Sequence, residues 1–227
     1  HRVTTQKTRI ISGNQHLLRV DEEMDIFLNK RVQEEFIELI SSLLESGGID
    51  AIIMQDYDKG VLTPRVISEV ISASERVAVP VLVDPKFRSF DLYRKVKLFK
   101  PNFKELAKGL DLDINKKEID KLAVAVKQFQ KKQQIENLLV TLSDQGVFNS
   151  GNGELVHIPA IKREITDVSG AGDTVIAVAA LCLISGLNPA EAAAVSNLAG
   201  GQVCERAGVV PVSSEKLQEE CLLHFKS

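Results

Sequence analysis

The sequence predicts one soluble α/β domain whose mostly parallel sheet is covered by helices on both faces. Short, continuous apolar segments alternate with amphipathic helical patterns, and they lack the polar alternation of a half-exposed strand. Polar or charged residues follow these segments. With 227 residues, of which 44% are hydrophobic, the chain can bury a substantial core. We therefore predict a single domain over residues 1–227.

The first predicted element is a β-hairpin. Residues 8–12 and 16–20 alternate in polarity, and Gly13-Asn14 between them is a favoured two-residue hairpin turn. The chain thus opens, without a Met, on what reads as the interior of a sheet. We expect from this that the domain is missing its beginning.

Helices and strands alternate from residue 30 onward. The predicted helices, from 3.6-residue periodicity and cap signals, are residues 30–45, 63–74, 117–131, 174–187, 190–206 and 213–225. The predicted strands are residues 51–54, 79–83, 97–99 and 138–142, followed by a second hairpin over 146–158. This order is typical of a parallel sheet between two helical layers.

Composition argues against several kinds of partner. A net charge of −3 without an aromatic-rich basic stripe gives no support for nucleic-acid binding. The longest apolar run, residues 175–187, is too short to span a bilayer. Cys182, Cys204 and Cys221 are isolated and form no CxxC pair, which indicates reduced thiols. We expect a cytoplasmic protein that binds neither membrane nor nucleic acid.

Polar residues at the strand ends form one group of site candidates. Ligands of parallel α/β sheets bind beyond the carboxyl ends of the strands, so residues that follow strands converge there. In this chain they are Asp56, Asp58, Lys59, Asp84, Lys86, Asn102, Glu105, Thr141, Ser143, Asp144 and Gly146. Each alone is also typical of a helix cap or a turn. Their joint position at one edge favours a binding site.

The segment TDVSGAGDT, residues 166–174, supplies the chemistry. Gly170, Ala171 and Gly172 predict a tight turn into a helix N-terminus, where backbone N–H groups and the positive end of the helix dipole bind anions. Small side chains let a phosphate approach closely. Asp173 would repel that anion, so it is better explained as a base acting on the phosphoryl acceptor. Taken alone, the four residues equally fit an ordinary helix start.

Together these motifs resemble a known family. DVSGAGDT before an Ala-rich helix, with PNFKE and TLSDQG upstream, resembles the ribokinase-like (PfkB) family of sugar kinases. KTRIISGNQHLLRVD, QDYDKGVLTP and VLVDPKFRSFDLYR resemble, within it, the kinase domain of D-glycero-β-D-manno-heptose 7-phosphate kinases, which occurs alone or fused to an adenylyltransferase. The resemblance covers nearly the whole chain and implies a three-layer α/β/α fold, of which we expect the N-terminal part and the lid to be missing from this sequence.

The resemblance implies a role for each matching residue. Asp173 would be the catalytic base, with Gly170, Ala171 and Gly172 as the anion hole. Asn102 and Glu105 match the family's N-x-x-E motif, associated with phosphate and, indirectly through water, with Mg²⁺. The implied ATP-binding residues are Lys86, Asn102, Glu105, Thr141, Ser143, Gly146 and Asn197, the last of which equally fits a helix–helix hydrogen bond. The candidates for the sugar phosphate are Asp56, Lys59, Arg19, Arg88 and Arg94.

The implied reaction is ATP-dependent phosphorylation of the anomeric C1 hydroxyl of D-glycero-β-D-manno-heptose 7-phosphate to the 1,7-bisphosphate, a precursor of the ADP-heptose of lipopolysaccharide cores. The resemblance implies ATP and Mg²⁺, admits a monovalent cation, and implies a homodimer. Two alternatives stay open. One is a PfkB-type kinase for another sugar or sugar phosphate. The other is an inactive PfkB-fold subunit that binds a nucleotide or a partner protein.

Overall fold

The chain forms a two-stranded hairpin and a separate six-stranded sheet, in a computed structural model that describes residues 2–13 and 15–224. The strands are β1 Gln6–Ser12, β2 Gln15–Glu22, β3 Ile52–Gln55, β4 Val81–Asp84, β5 Leu98–Phe99, β6 Asn137–Thr141, β7 Val147–Gly151 and β8 Glu154–Ile158. The helices are α1 Lys30–Ser46, α2 Pro64–Arg76, α3 Phe103–Gly109, α4 Ile119–Gln133, α5 Ala171–Ile184, α6 Pro189–Val203 and α7 Ser214–His224. Two short 3₁₀ segments are Phe87–Leu92 and Ser143–Gln145.

The six-stranded sheet follows the order of the sequence, β3-β4-β5-β6-β7-β8. The strands from β3 to β6 are parallel, so their carboxyl ends share one edge. The second hairpin, β7 and β8, extends the sheet in antiparallel fashion. The predicted α/β class and the parallel strands are confirmed, and the antiparallel part is the hairpin predicted over residues 146–158.

Helices cover both faces of this sheet, which explains why its strands are continuously apolar. In β4, Val81 and Val83 belong to the hydrophobic cluster under α2 and α4, whereas Leu82 belongs to the cluster under α5. The first cluster is rich in aromatic rings, with the centroids of Phe90 and Phe99 5.0 Å apart. Burial on both faces produces the three layers that the resemblance implies.

The α5 and α6 layer packs through small side chains. A Cβ atom added at Gly200 of α6 would lie 2.6 Å from Cγ2 of Val175 in α5, closer than atoms pack without displacement. Glycine therefore sets the separation of the two helices. Helix α6 begins at a capping box of Asn188 and Glu191, with Pro189 as its first residue, as the sequence predicts.

Helix α3 is the element that sequence periodicity misses. It has seven residues, too few for a helical pattern to show. Its start is nevertheless encoded locally, because the Asn102 side chain accepts from the Glu105 N–H at 2.9 Å and Glu105 accepts from the Asn102 N–H at 2.8 Å. The N-x-x-E motif is thus a capping box at the carboxyl end of β5.

The first hairpin lies beside this layered body. Its antiparallel register runs from Gln6 opposite Glu22 to Ser12 opposite Gln15, and the predicted turn residue Asn14 lies outside the described residues. The connection to α1 is held by the Leu28 N–H, which donates to the Gly60 carbonyl at 2.9 Å. Within the described ranges, the helices are all too short or too polar to cross a membrane.

Candidate active site

The turn before α5 has the conformation that an anion site requires. Gly170 adopts φ +81°, in the left-handed region, and the helix starts directly after it at Ala171, ahead of the apolar run 174–187. The Asp167 carboxylate holds the turn by accepting from the Ser169 N–H at 2.9 Å and the Gly208 N–H at 2.9 Å. The first turn of α5 thus offers the positive end of the helix dipole, and within it the Ala171 N–H donates to the Val168 carbonyl at 3.3 Å.

Asp173 is the third residue of α5, and its side chain is exposed at this turn. Its Oδ1 accepts a hydrogen bond of 3.0 Å from the hydroxyl of Tyr57, which follows β3. An exposed carboxylate beside a helix N-terminus can reach a substrate hydroxyl while a phosphate occupies the turn. The sequence nominated Asp173 but not Tyr57, because nothing local links residues 116 positions apart.

A buried ion pair lies behind Gly172. Lys100 is 2% exposed, Asp84 is 5% exposed, and Lys100 Nζ lies 3.0 Å from Asp84 Oδ2. A Cβ at Gly172 would lie 3.6 Å from that nitrogen and 3.8 Å from that oxygen. Gln55 also donates to Asp84 Oδ2 at 2.8 Å. Sequence reasoning missed Lys100 and Gln55, and the available signal was a lysine directly after an apolar strand.

Lys86, Asn102 and Glu105 meet at the next corner of the edge. Lys86 forms an ion pair with Glu105 Oε1, while Glu105 Oε2 serves the α3 capping box. Burial lowers the pKa of Lys86, but the hydrogen bond and charge of Glu105, with the charges of Asp84 and Asp56, outweigh it and leave that pKa raised. Lys86 is therefore a fixed cation among three carboxylates.

At this corner Glu105 could hold Mg²⁺ only through water. Both Glu105 carboxylate oxygens already have protein partners, the Lys86 ammonium and the Asn102 N–H. Among residues 2–13 and 15–224, no group of three His, Cys, Asp or Glu side chains could hold a metal ion. Because Mg²⁺ keeps several waters and binds substrate phosphates, it needs few direct protein ligands.

The remaining candidates for ATP lie along one side of the edge. Thr141 ends β6 and forms an isolated bridge with Asn102. Gly146 adopts φ +85°, and a Cβ there would overlap the Ile158 carbonyl oxygen. Asn197 donates to the Pro159 carbonyl at 3.0 Å, so its partner is a loop and the alternative of a helix–helix bond is wrong.

Ser143 stands between Thr141 and Gly146 in the same loop and adopts φ +59°. The Leu142 N–H donates to the Gly146 carbonyl at 2.7 Å, which closes this loop. The structure thus brings Ser143 together with the predicted residues on either side of it.

Asp56, nominated for the sugar phosphate, is buried in the loop after β3. Its Oδ1 accepts from the Asp58 N–H at 2.8 Å and its Oδ2 from the Tyr93 hydroxyl at 2.8 Å. Burial, together with the charge and hydrogen bond of Asp56, raises the pKa of Tyr93. Both oxygens of Asp56 therefore serve the shape of this loop.

Two nominated cations face the hairpin side. Lys59 forms an ion pair with Glu23, which follows β2. Arg88 lies 3.0 Å from Asp58 Oδ1, donates to the Asp25 carbonyl at 2.8 Å, and stands 5.3 Å above the Phe27 ring. These contacts join the segment after the hairpin to the loop after β3.

Arg19 and Arg94, the other two arginines predicted to bind the sugar phosphate, lie in different parts of the fold. Arg19 on β2 forms an ion pair of 3.0 Å with Asp21 on the same strand and stays half exposed. Arg94 donates to Gln133 at 3.1 Å, at the end of α4, where the chain enters β6. Arg94 therefore lies at the amino ends of the strands, and its nomination as a substrate residue is wrong.

Comparison with known proteins decides the family. The family model for pfkB family carbohydrate kinases matches residues 4–216. The chain belongs to the pfkB family. The resemblance read from GAGD, PNFKE and TLSDQG is thereby confirmed.

Among pfkB relatives, the chain is similar to bifunctional proteins named HldE. It is 36% identical over 228 residues to HldE of Pelobacter propionicus, covering 100% of this chain and 46% of that protein. It is 36% identical over 216 residues to HldE of Helicobacter pylori, covering 95% of this chain and 46% of that protein. The chain thus spans less than half the length of these curated relatives.

Solved pfkB-type structures share the fold. Phosphofructokinase-2 from Escherichia coli in complex with potassium superposes with a TM-score of 0.77 at 17% identity, covering 89% of this chain and 65% of that one. Arabidopsis thaliana ribokinase complexed with ribose and ATP gives a TM-score of 0.65 at 19% identity, with 93% and 66% covered. These likenesses confirm the ribokinase-like α/β fold.

Proposed function

We propose that the chain is the kinase domain of an enzyme that transfers the γ-phosphoryl group of ATP to the anomeric C1 hydroxyl of D-glycero-β-D-manno-heptose 7-phosphate, forming the 1,7-bisphosphate. The observation that carries the proposal is the exposed carboxylate of Asp173 in the first turn of α5, beyond the carboxyl ends of the parallel strands. A phosphate and an acceptor hydroxyl would meet at this turn.

Two observations favour heptose 7-phosphate as the substrate. The strings QDYDKGVLTP and VLVDPKFRSF, which resemble the heptose branch, surround the edge where Tyr57, Lys59 and Arg88 lie. The relatives at 36% identity are named bifunctional protein HldE, and a bifunctional protein fits the fused form that the resemblance describes. The product would be a precursor of ADP-heptose for lipopolysaccharide.

In the proposed step, Asp173 accepts the proton of the C1 hydroxyl while the C1 oxygen attacks the γ-phosphorus of ATP. The bond from that phosphorus to the leaving oxygen of ADP breaks at the same time. Charge that develops on the phosphoryl oxygens faces the N–H groups of Gly170 and Gly172, since the Ala171 N–H already donates to the Val168 carbonyl. The buried ion pair of Lys100 and Asp84 lies behind Gly172 and adds a fixed dipole there, not a net charge.

The other nominated residues surround the two substrates in this proposal. Mg²⁺ neutralises charge on the phosphate oxygens when it is bound, and Glu105 and Asn102 would hold it through water. Lys86 and the loop of Thr141, Ser143 and Gly146 would contact ATP, with Asn197 near its base. The cations for the 7-phosphate would be Lys59, Arg88 and Arg19, and Asp56 would hold the loop that presents them.

The test is Asp173→Asn in the full-length protein, assayed for ADP release with heptose 7-phosphate. Loss of a general base predicts a fall in kcat of roughly 10²–10⁴-fold with ATP affinity retained. Asp50→Asn is the matched control, since Asp50 is exposed ahead of β3 at the opposite edge and should leave kcat unchanged. An unchanged rate for Asp173→Asn would refute the role of Asp173.

A substrate panel separates the alternatives. Faster turnover of ribose, fructose or fructose 1-phosphate than of heptose 7-phosphate would identify a kinase for another sugar. Binding of ATP without turnover of any sugar would identify an inactive nucleotide-binding subunit.

A further inference from the structure

The contact between Tyr57 and Asp173 links two segments that no local signal connects. The Tyr57 hydroxyl donates to Asp173 Oδ1 at 3.0 Å, from the loop after β3 to the first turn of α5. Tyr57 is 53% exposed, so the core does not require its position. Its hydroxyl instead reaches the one carboxylate to which the proposed proton transfer is assigned.

The loop that carries Tyr57 is held on both sides. The Asp56 N–H donates to the Asp84 carbonyl at 3.0 Å, which continues the pairing of β3 with β4. The Asp56 carboxylate accepts from the Asp58 N–H at 2.8 Å, and Asp58 adopts φ +58°. The buried Tyr93 hydroxyl holds the second oxygen of Asp56. Tyr57 is therefore presented by a backbone that is fixed before any substrate binds.

The Tyr57 phenol remains a hydrogen-bond donor over the whole physiological range. Burial raises the pKa of Tyr57 to about 12, with further increases from the hydrogen bond and charge of Asp173 and the charge of Asp84. A phenol that keeps its proton cannot act as a base at neutral pH. Its one function toward Asp173 is to donate to a single carboxylate oxygen.

We propose that Tyr57 is a positioning residue for the proton-accepting step: its hydroxyl holds Oδ1 of Asp173 so that Oδ2 faces the acceptor hydroxyl. The inference rests on the proposed function. An exposed aspartate otherwise samples several rotamers, and its terminal torsion is broad. A single fixed hydrogen bond removes much of this freedom, and correct orientation of reacting groups is a large source of rate.

The experiment is Tyr57→Phe in the full-length protein, alone and combined with Asp173→Asn. Loss of a hydrogen bond to a charged group predicts a fall in kcat of roughly 10- to 100-fold, with the KM for ATP unchanged. In the Asp173→Asn background the same change should alter kcat by less than about 2-fold, because the carboxylate that Tyr57 positions is gone. Additive losses in the double variant would overturn the proposal.

Tyr93→Phe is the matched control, because Tyr93 is the second of the two tyrosines and donates to Asp56 instead. It should lower the midpoint of thermal unfolding, whereas Tyr57→Phe should leave that midpoint unchanged. A lowered midpoint together with an unchanged kcat for Tyr57→Phe would show a structural role and overturn the proposal.

A third readout does not depend on turnover. The protein is labelled with ¹³C at tyrosine Cζ, and the Tyr57 resonance is assigned by NMR from its loss in Tyr57→Phe. Asp173→Asn should shift this resonance and leave the Tyr93 resonance in place. An unmoved Tyr57 resonance would overturn the contact.

The turnover measurements separate the inference from the proposed function. If Asp173→Asn abolishes turnover but Tyr57→Phe turns over at the wild-type rate, the positioning role of Tyr57 fails and the proposed function stands. If Asp173→Asn keeps full turnover, the proposed function fails, and the inference fails with it.

Discussion

Two walls of the candidate site are built in different ways. The sheet wall consists of the carboxyl ends of β3 to β6 with the first turn of α5, and its Lys100–Asp84 pair is almost fully buried. The hairpin wall consists of β1, β2 and residues 23–28. Its Arg19–Asp21 pair is partly exposed, as is the pair of Glu23 with Lys59 of the loop after β3. The Lys100–Asp84 charges are thus locked inside the first wall, whereas these two pairs of the second wall are accessible.

This difference matches the two halves of the proposed reaction. Phosphoryl transfer needs fixed dipoles and charges that do not reorganise during the step, and the sheet wall supplies them. Partly exposed ion pairs contribute only about 0–1 kcal/mol each, so a charged ligand can replace one partner at little cost. We therefore propose that the hairpin wall selects the sugar phosphate and the sheet wall performs the transfer.

Lys100→Met should give the largest change in stability. It leaves the Asp84 carboxylate buried without its ion-pair partner, which predicts a loss of about 3–5 kcal/mol in the free energy of unfolding. Adding Asp84→Asn should recover much of this loss, and Arg19→Met in the hairpin wall should cost under about 1 kcal/mol. Chemical denaturation measures all three. Equal losses for Lys100→Met and Arg19→Met would remove the distinction between the walls.

Two glycine substitutions should perturb one wall each. Gly146→Ala forces a Cβ against the Ile158 carbonyl, and Gly60→Ala forces one against the Ile26 carbonyl, both at positive φ. Each should lower the free energy of unfolding by about 1–3 kcal/mol. Gly146→Ala should raise the KM for ATP, and Gly60→Ala should raise the KM for the sugar phosphate.

Gly153→Ala is the control for this pair, because Gly153 has φ +82° but nothing within 4 Å of an added Cβ. It should cost only the backbone strain, about 1–2 kcal/mol, and leave both KM values unchanged. A rise in the same KM for both wall variants would contradict the assignment of ATP and sugar to separate walls.

The smallest effect on the free energy of unfolding is expected for the exposed apolar face of the hairpin formed by Ile10, Leu18 and Val20. Ile10 and Leu18 are paired across β1 and β2, and together with Val20 they remain about half exposed. The family resemblance implies a homodimer, and we propose this apolar face as its contact. Leu18→Asp should change the free energy of unfolding of the protomer by under about 0.5 kcal/mol yet convert dimer to monomer in sedimentation.

Val124→Asp, at an exposed position of α4, is the control and should leave the sedimentation mass unchanged. A monomeric wild-type protein would contradict the homodimer, and a dimeric Leu18→Asp variant would contradict this choice of face.

The elements that the sequence predicts well are those with local signals. Helix α1 ends before Gly47, α6 begins at its capping box, and the turn before α5 has a glycine at positive φ, because each depends on contacts within a few residues. Helix α3 was not predicted because its seven residues show no helical periodicity, although its capping box was visible in the sequence as a motif.

Side-chain partners across the sheet could not be predicted in the same way. Arg88 and Arg94 are six positions apart in the sequence, yet Arg88 contacts Asp58 at the carboxyl edge and Arg94 contacts Gln133 at the amino edge. The 3₁₀ segment Phe87–Leu92, which contains Arg88 and ends two residues before Arg94, carries the chain from the carboxyl edge towards the amino edge. The sequence shows that both residues are cationic arginines but not which edge of the sheet each one reaches.

The sequence by itself determined the α/β class, the family motifs and the choice of Asp173, since periodicity, caps and turn chemistry act over short distances along the chain. Only the tertiary structure decided that Tyr57 donates to Asp173 and that Lys100 pairs with Asp84 behind Gly172. The physical reason is that strand order and the placement of α5 over the sheet edge bring together residues that are far apart in the sequence.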